Sequence, residues 1–461
     1  MNTLILPPVG QTRSPAGERR LRVAVVGAGI SGLSAAWLLR EHACVTLFES
    51  ASRAGGHADT QDVVVDAGSM GAAQVGGTSA PTIPVDTGFI VYNTLNYPNL
   101  TGFFEALGVA TRASEMSFGV SVGNGALEYG GGELHQLFAQ RRNALRPSFW
   151  GMLRDIMRFY REAPALLEAT GDEALGDWLG RRGYGSAFVN HHILPMGAAI
   201  WSASVEGMRA FPARHFARFF HNHGLLRVTN RPQWRTVVGG SRSYVNIVLE
   251  ALEGRVRLGS AVRGVSRDGT GVRLHLADGS SEGFDQVVLA CHADQALALL
   301  GDAAPAERQV LGAIGSQDNV AVLHSDRALM PRRRGVWSAW NYLSNGAADH
   351  RAQVSVTYWM NRLQGHVTQQ PLLVSLNPLR DPDPSLVLST RNYRHPQFDA
   401  AAMRAQVLLD DIQGGGGVWF AGAWTGWGFH EDGIASAVRV ARALGVAPPW
   451  SAAAAAYSRA A

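Results

Sequence analysis

The sequence predicts an α/β fold, in which a Rossmann-like domain is assembled from discontinuous segments and accompanied by an α+β domain. The first observation is an apolar β-branched run at 23–26 that leads into a glycine-rich turn and a helical run at 33–40. This order is typical of a βαβ unit. The second observation is that, after a second strand pattern at 45–48, similar buried-strand patterns return only much later, at 287–290 and 418–420. The third is a long intervening stretch with helical periodicity. The strands of one sheet are therefore expected to come from distant parts of the chain.

These patterns divide the 461 residues into a flexible tail and two interleaved domains. A segment of small, uncharged residues interrupts the first domain and is expected to be an inserted loop, because it cannot bury enough apolar surface to fold alone. The expected bounds are 1–20 for the tail; 21–93, 227–300 and 401–461 for the first domain, with the inserted loop at 67–82; and 94–226 and 301–400 for the second domain.

Local periodicity predicts individual elements within this frame. Helices are expected at 99–107, 149–168 and 174–181, where apolar residues recur at helical spacing. An apolar run at 89–92 predicts a strand, and the similar phrases around 65–68 and 85–88 predict a hairpin across the inserted loop.

Composition excludes several classes of protein. The net charge of +4 comes from 41 basic residues, all of them arginine, against 37 acids, which is not the balance of a nucleic-acid-binding protein. No run of 18 apolar residues predicts a membrane span. Cys44 and Cys291 lie in strand-like runs and are expected to be buried free thiols, as in a reducing compartment. We therefore expect a cytoplasmic protein, with peripheral membrane contact possible and the oligomeric state open.

The turn after the first strand reads Gly27-Ala-Gly29-Ile-Ser-Gly32. In a dinucleotide-binding turn the first glycine allows the sharp bend, the second lets a pyrophosphate approach the backbone, and the third lets the helix pack on the strand. The helix N-terminus offers free N–H groups to the phosphates. Glu49, about 20 residues further on, is placed to accept hydrogen bonds from ribose hydroxyls.

A second glycine pair, Gly55-Gly56, lies between Arg53 and His57. The combination of GxGxxG, an acid and Arg-x-Gly-Gly resembles the flavin amine-oxidase superfamily, which includes amine oxidases, protoporphyrinogen oxidase and carotenoid desaturases. The resemblance implies FAD, and non-covalent binding is expected because neither cysteine lies in the C-terminal flavin loop. No second glycine-rich strand–helix turn is present for NAD(P)H.

Further motifs carry the same resemblance. They are Asp86-Thr-Gly88, which in the superfamily leads into a loop crossing the flavin, and a strand–loop–helix at 418–441. Ala423 stands where the superfamily has an acid, so that Asp432 or Thr425 is expected to take its place. The phrases GGHADT, PVDTGFIVYN, NYPNL and GFHEDG look like bacterial flavoproteins associated with cyclopropane and methylated fatty-acid synthases. The implied cofactor-binding residues are Gly27, Gly29, Ser31, Gly32, Glu49, Arg53, Gly55, Gly56, His57, Gly88, Phe89, Ile90, Val262, Gly422, Trp424, Asp432, Gly433 and Ile434.

The segment 211–226 mixes four phenylalanines with arginines and histidines. Two interpretations remain open: an amphipathic helix packed on the core, or an apolar acyl-chain tunnel with a basic mouth facing anionic lipid. A metal site is disfavoured because no carboxylate or cysteine is in register. We expect Trp201, Phe216 and Tyr358 to line the substrate pocket.

The leading functional hypothesis is an FAD-dependent oxidase or desaturase that takes hydride from an unsaturated, cyclopropane or methyl-branched fatty-acyl chain. Many amine oxidases of the superfamily place a lysine near flavin N5, and this sequence contains no lysine. The alternatives are an amine oxidase without that lysine, a redox-neutral isomerase, and a non-enzymatic lipid-binding flavoprotein. His430 and Glu431 are the candidate proton acceptors, with capping of the adjacent helix as the alternative role.

Overall fold

A computed structural model describes residues 19–65, 81–169, 171, 173–227, 231–345 and 355–450. The predicted tail, apart from residues 19 and 20, and the predicted inserted loop, apart from 81 and 82, lie outside the described residues.

Twenty strands alternate with fifteen α-helices among the described residues. The strands are β1 (Arg22–Val26), β2 (Cys44–Phe48), β3 (Thr60–Val64), β4 (Thr82–Asp86), β5 (Tyr92–Asn93), β6 (Thr111–Ser114), β7 (Phe118–Val122), β8 (Leu127–Gly130), β9 (Trp234–Val237), β10 (Val256–Arg257), β11 (Val262–Arg267), β12 (Val272–Leu276), β13 (Ser281–Phe284), β14 (Gln286–Leu289), β15 (Ser316–His324), β16 (Trp340–Ser344), β17 (Ser355–Trp359), β18 (Leu373–Leu376), β19 (Val387–Pro396) and β20 (Val418–Phe420). The helices are α1 (Ile30–Leu39), α2 (Pro98–Leu107), α3 (Leu134–Leu137), α4 (Pro147–Glu162), α5 (Leu175–Arg181), α6 (Ser186–Phe188), α7 (Leu194–Trp201), α8 (Val205–Ala210), α9 (Ala213–Asn222), α10 (Arg242–Ala251), α11 (Ala293–Leu299), α12 (Pro305–Gly312), α13 (Met360–Leu363), α14 (Ala400–Val407) and α15 (His430–Ala443).

A five-stranded parallel sheet, in the order β10-β2-β1-β14-β20, lies beneath the glycine-rich turn. Its central strand β1 is buried on both faces: Val23 and Val25 pack with α1 and α15, whereas Ala24 packs with the apolar residues of α11, α12 and β12. Burial on both faces explains why the strand is a continuous apolar run. The predicted mixed α/β fold with a parallel sheet is confirmed.

A seven-stranded sheet, in the order β19-β15-β18-β17-β16-β7-β8, forms the second layer. Neighbouring strands in it run antiparallel, except for the parallel pair β7 and β16. Helices α4 to α9 pack against β7, β8, β16 and β17 through a dense aromatic cluster. Phe159 lies at the centre of this cluster, with five aromatic neighbours.

Most of the predicted local elements are confirmed, with two corrections. The helices at 99–107 and 174–181 are α2 and α5, and the one at 149–168 is α4 followed by a 3-10 segment, Ala163–Glu168. The predicted hairpin is the antiparallel pair β3 and β4. The predicted strand at 89–92 is wrong for residues 89–91, because only Tyr92 and Asn93 pair with β9. Both cysteines are free as predicted, but Cys44 is exposed since it begins β2 at the solvent end of the sheet.

None of the helices that the structure describes combines the length and the apolar composition needed to cross a bilayer.

Candidate active site

A cavity of about 730 Å³ opens at the carboxyl ends of the parallel strands. The residues that follow four of these strands line it: Gly27 after β1, Glu49 after β2, Ala290 after β14 and Gly422 shortly after β20. From there the cavity extends to the seven-stranded sheet, where Tyr358 of β17 contributes to its wall. Ligands of open parallel sheets bind at this edge, and the volume is in the range of cofactor and substrate pockets.

The glycine-rich turn packs tightly against the start of α1 on one side and borders open space on the other. Gly27 has φ +104, and a Cβ built on Gly32 would lie 1.8 Å from the Gly27 carbonyl oxygen. Neither position therefore accepts a side chain without movement of the backbone. A Cβ on Gly29 would have no atom within 4 Å, although Gly29 lines the cavity. The empty space beside Gly29 is the cradle expected for a pyrophosphate.

The N-terminus of α1 points to the same part of the cavity. Its N-cap Gly29 has no side chain to cap the helix, and the first turn contains no acid. Ile30 and Ser31 of that turn line the cavity. Free N–H groups at a helix start attract anionic groups.

Glu49 is fixed by backbone donors at the same end. Its Oε2 accepts from the Ala28 amide at 2.7 Å, and its Oε1 accepts from the Ala51 amide at 2.9 Å. These bonds hold the carboxylate at the cavity wall next to Val262, as a ribose-binding acid requires.

Imidazole rings line the cavity beside the second glycine pair. His57 stacks on Tyr393 with ring centroids 5.0 Å apart, and the His395 ring lies 5.4 Å away. Burial, together with the neighbouring His395, lowers the pKa of His57 well below its usual value, so its ring is neutral. The Nε2 atom of His57 is buried and has no hydrogen-bond partner. This orphaned atom marks a place where a bound polar group would complete the structure.

The loop after β20 brings Gly422 and Trp424 to the cavity. Trp424 donates from Nε1 to the Cys291 carbonyl oxygen at 2.9 Å, which fixes the ring. Gly433 serves a different purpose, because a Cβ there would lie 2.7 Å from Ile30. Because Gly433 has no Cβ, α15 can pack closely on α1.

Several residues predicted from the superfamily motifs do not line the cavity. Arg53 bonds instead to the Asp59 carboxylate at 2.7 Å, and Asp432 accepts from the Phe429 amide at 2.9 Å as part of the start of α15. Phe216 does not line the cavity but is fully buried against Phe220, with ring centroids 4.2 Å apart, so the predicted pocket role is wrong. Within segment 211–226, Ala213–Asn222 form an amphipathic helix packed on the core. The predicted site residues outside the cavity wall are Gly32, Arg53, Gly55, Phe216, Glu431, Asp432, Gly433 and Ile434.

Glu431 is turned away from the cavity and holds α2. Its Oε1 accepts from the amide and the side-chain nitrogen of Asn99, at 3.0 and 2.7 Å, and its Oε2 accepts from the Leu100 amide at 2.9 Å. Burial raises the pKa of Glu431 to about 8. The carboxyl group satisfies donors at the start of α2, where the structure offers no other cap. The predicted catalytic role is corrected to a structural one.

We expect Glu431→Gln to lower the free energy of unfolding by about 1–3 kcal/mol, because an amide nitrogen cannot accept the Leu100 N–H. Thermal unfolding checks this, with Glu105→Gln on the exposed side of α2 as the control. Loss of turnover in E431Q at unchanged stability would contradict the structural role.

His430, in contrast, lines the cavity. It stacks on Phe89 with ring centroids 3.7 Å apart, and its Nε2 lies 3.2 Å from the Tyr244 hydroxyl. Burial lowers the pKa of His430 to about 3. The ring is therefore a neutral hydrogen-bonding group held in a fixed orientation.

The far end of the cavity has an aromatic wall. The predicted pocket residues Trp201 and Tyr358 lie there, and Tyr358 packs edge-on against Trp340 with centroids 5.0 Å apart. Sequence reasoning missed the contribution of β19, because its residues VLSTRNYRHP do not alternate between apolar and polar and only the structure shows which of them face inward. The remaining residues of this wall, not predicted as pocket residues, are Ile200, Ser202, Trp234, Trp340, Leu376, Tyr393, Arg394, His395, Pro396, Phe398, Trp427, Gly428 and Phe429.

Open glycine space, an uncapped helix N-terminus and an orphaned imidazole nitrogen at one cavity define a nucleotide-binding enzyme. The particular family is shown by a family model, flavin containing amine oxidoreductase, which matches residues 30–445. The chain belongs to this family. It is a flavin-dependent oxidoreductase that binds a small-molecule substrate, and the prediction of FAD as cofactor is confirmed. Among the described residues, no group of three or more histidine, cysteine or acidic side chains could hold a metal ion.

Solved structures share the fold. Cyclohexylamine oxidase from Brevibacterium oxydans IH-35A matches with TM-score 0.65 and 15% identity, covering 93% of this chain and 100% of that one. Wild-type putrescine oxidase bound to putrescine matches with TM-score 0.64 and 15% identity, covering 92% and 98%. A fatty acid isomerase from P. acnes that produces CLA matches with TM-score 0.61 and 13% identity, covering 92% and 98%. No curated protein matches the sequence.

Proposed function

We propose that this enzyme is an FAD-dependent oxidase or desaturase of an unsaturated, cyclopropane or methyl-branched fatty-acyl chain. The observation that carries the proposal is the chemistry of the cavity wall. Its substrate end is mainly aromatic and aliphatic, with Ser202, Arg394 and His395 as polar members, and among the described lining residues Glu49 is the single acid. Both Glu49 oxygens are already bound by backbone amides at the nucleotide end. A protonated amine would find no carboxylate partner there, whereas an acyl chain would bury its methylene groups.

We also propose that the FAD-binding domain is built from 21–93, 227–300 and 401–461, and the substrate domain from 94–226 and 301–400. The parallel sheet supports this division, since its strands come from the first three segments. The seven-stranded sheet draws its strands from the other two segments.

FAD, when bound, supplies a two-electron acceptor for hydride. Its attachment is non-covalent in this proposal, because Cys44 lies on the outer surface and burial raises the pKa of Cys291 to about 12, which disfavours the reactive thiolate.

The chain's own residues divide the remaining tasks in this proposal. The α1 N-terminus and Gly29 hold the pyrophosphate, Glu49 the ribose and His57 Nε2 a polar atom of the cofactor. His430, a neutral ring oriented by Tyr244 at the cavity wall, accepts the proton that the acyl chain releases together with the hydride. Trp201, Trp340 and Tyr358 position the acyl chain and exclude water.

Anaerobic titration distinguishes the candidate reactions. We expect lasting bleaching of the flavin absorbance when an unsaturated, cyclopropane or methyl-branched fatty acid is added. Acyl product without lasting bleaching would replace the proposal with a redox-neutral isomerisation. Bleaching by putrescine or cyclohexylamine, with none by the fatty acids, would replace it with amine oxidation. The amine candidate is favoured by one observation, the edge-on pair of Trp340 and Tyr358, since aromatic faces bind cations.

A matched pair of variants tests the substrate end of the cavity. We expect Tyr358→Leu to raise KM for the acyl substrate about tenfold with little change in kcat, because it removes wall contacts made equally in the ground and transition states. Phe216→Leu is the control, since this ring is buried in the core outside the cavity. It should lower stability and leave KM unchanged. Equal KM values for both variants would argue against a substrate site at Tyr358.

A further inference from the structure

An exposed surface on α3, the 3-10 segment Arg141–Leu145 and α4 combines apolar and basic side chains; we call it the α3–α4 surface. Its apolar members are Leu134, Leu145, Trp150 and Met157, which are 75%, 86%, 53% and 49% exposed. Leaving large apolar side chains in water costs free energy, and a group of them on one surface indicates an interaction site.

These apolar residues are contiguous. The Trp150 ring lies 5.5 Å from that of Phe138, and its Nε1 donates to the Ala144 carbonyl oxygen at 2.9 Å, next to Leu145. Leu134 lies one turn before Phe138 on the same helix face, since the Phe138 amide donates to the Leu134 carbonyl. Met157 follows Trp150 by seven residues, which places it two turns further along the same side of α4.

Arginines interleave with the apolar residues and outnumber the acids. Residues 134–162 contain six arginines and two acids, Asp155 and Glu162, and Glu162 pairs with Arg158. Asp155 is 1% exposed: one of its oxygens accepts from the Gly185 amide at 2.9 Å, and the other lies 3.5 Å from the guanidinium of Arg154, whose side chain is 78% exposed. Arg141, Arg142, Arg154 and Arg161 are exposed. The outward face of α4 therefore consists of residues at helical spacing, namely Pro147, Trp150, Arg154, Met157 and Arg161.

We propose that the α3–α4 surface docks this enzyme on an anionic lipid membrane. Tryptophan and leucine enter the headgroup region of a bilayer, and arginines are attracted to anionic headgroups. Stable peripheral binding needs both contributions, and this surface supplies both. A nucleic acid would use the arginines but would leave Leu134, Leu145 and Met157 without a partner. The inference extends the proposed acyl-chain function, because a membrane is where such chains are found.

The experiment is co-sedimentation of the full-length, FAD-loaded protein with vesicles. One set consists of phosphatidylcholine, and the other of phosphatidylcholine and phosphatidylglycerol in equal parts. We expect binding to the mixed vesicles that weakens at about 1 M salt, where the Debye length falls to about 3 Å. The double variant R154E/R161E should bind at least about tenfold more weakly, since each arginine contributes about fivefold at a membrane surface. W150S should also bind more weakly.

Matched controls separate this surface from general charge and hydrophobicity. R308E/R442E makes the same change in net charge at exposed positions on α12 and α15, and V407S removes another exposed apolar side chain. Both should bind like the wild type, and flavin absorbance should show that every variant is folded.

Three results would overturn the inference: no binding of the wild type to mixed vesicles, equal loss in R154E/R161E and R308E/R442E, or binding to duplex DNA in place of vesicles. Sedimentation requires no turnover, whereas the fatty acids used in the anaerobic titration require no vesicle. Failure of the docking surface is thus distinguishable from failure of the proposed reaction.

Discussion

Replacing Gly32 with alanine is expected to destabilise the protein by about 3 kcal/mol or more and to abolish flavin binding. The added Cβ would lie 1.8 Å from the Gly27 carbonyl oxygen and 3.0 Å from its carbonyl carbon. These are backbone atoms of the turn, which no side-chain rotation can move. Alanine favours a helix over glycine by about 1 kcal/mol, but separation of α1 from β1 costs more, because overpacking a core displaces the backbone. Thermal unfolding and the flavin-to-protein absorbance ratio check this result.

Gly29→Ala is the matched control for Gly32→Ala. A Cβ at Gly29 meets no protein atom within 4 Å, yet it would extend into the space assigned to the pyrophosphate. We expect unfolding of the flavin-free protein to be nearly unchanged and FAD affinity to fall at least about tenfold. If G29A kept its flavin while G32A remained stable, the assignment of this turn to the cofactor would be wrong.

Acidification from pH 7 to 5 is expected to produce the second large effect, a loss of several kcal/mol of stability. Four histidines outside the cavity wall, His192, His223, His324 and His366, have their pKa lowered by burial from 6.5 to about 4. A lowered pKa means that the unfolded chain binds the proton more tightly. The stabilisation is therefore complete above pH 6.5 and is lost as the pH falls from 6.5 towards 4. Each fully shifted histidine contributes on the order of 2 kcal/mol of this loss at pH 5. Asp86, Glu431 and Asp432 oppose the loss in part, because burial raises the pKa of each and these acids bind protons more tightly in the folded state.

His324 shows the local reason and provides a variant. Its Nδ1 accepts from the Asp326 amide at 3.0 Å and its Nε2 lies 2.8 Å from Ser375 Oγ, so a second proton would break the bond to Asp326. Denaturant unfolding at pH 7 and 5 measures the loss. His324→Gln should be less stable at pH 7 but should lose less on acidification than the wild type. An equal loss of stability on acidification in H324Q and the wild type would show that the His324 ring accepts a proton in the folded state.

The sequence was sufficient to predict the residues at the cofactor end of the cavity, but it was insufficient to predict those at the substrate end. Gly27, Gly29 and Glu49 lie within one strand–turn–helix–strand unit, where spacing along the chain determines position in space. The aromatic wall comes from α7, β16, β17, β19 and the loop before α15, and only tertiary contacts decide which of these rings face a cavity. Helical periodicity shows that Phe216 is buried, but it cannot distinguish a core from a pocket.

The same limit explains Glu431. Its sequence neighbours suggested chemistry beside the flavin, while its actual partners, Asn99 and Leu100, are more than 300 residues away. No local pattern identifies a carboxylate that caps a distant helix.

The order of strands in the parallel sheet has a consequence for biosynthesis. Its central strand β1 is made first, whereas β14 joins it after about 260 further residues and β20 after about 390. Helix α15, which packs on α1 and carries His430 to the cavity, is made last of the described helices. Such distant pairings form slowly and leave partly built sheets exposed in the nascent chain. The flavin-binding cavity is therefore complete only after nearly the whole polypeptide has been synthesised.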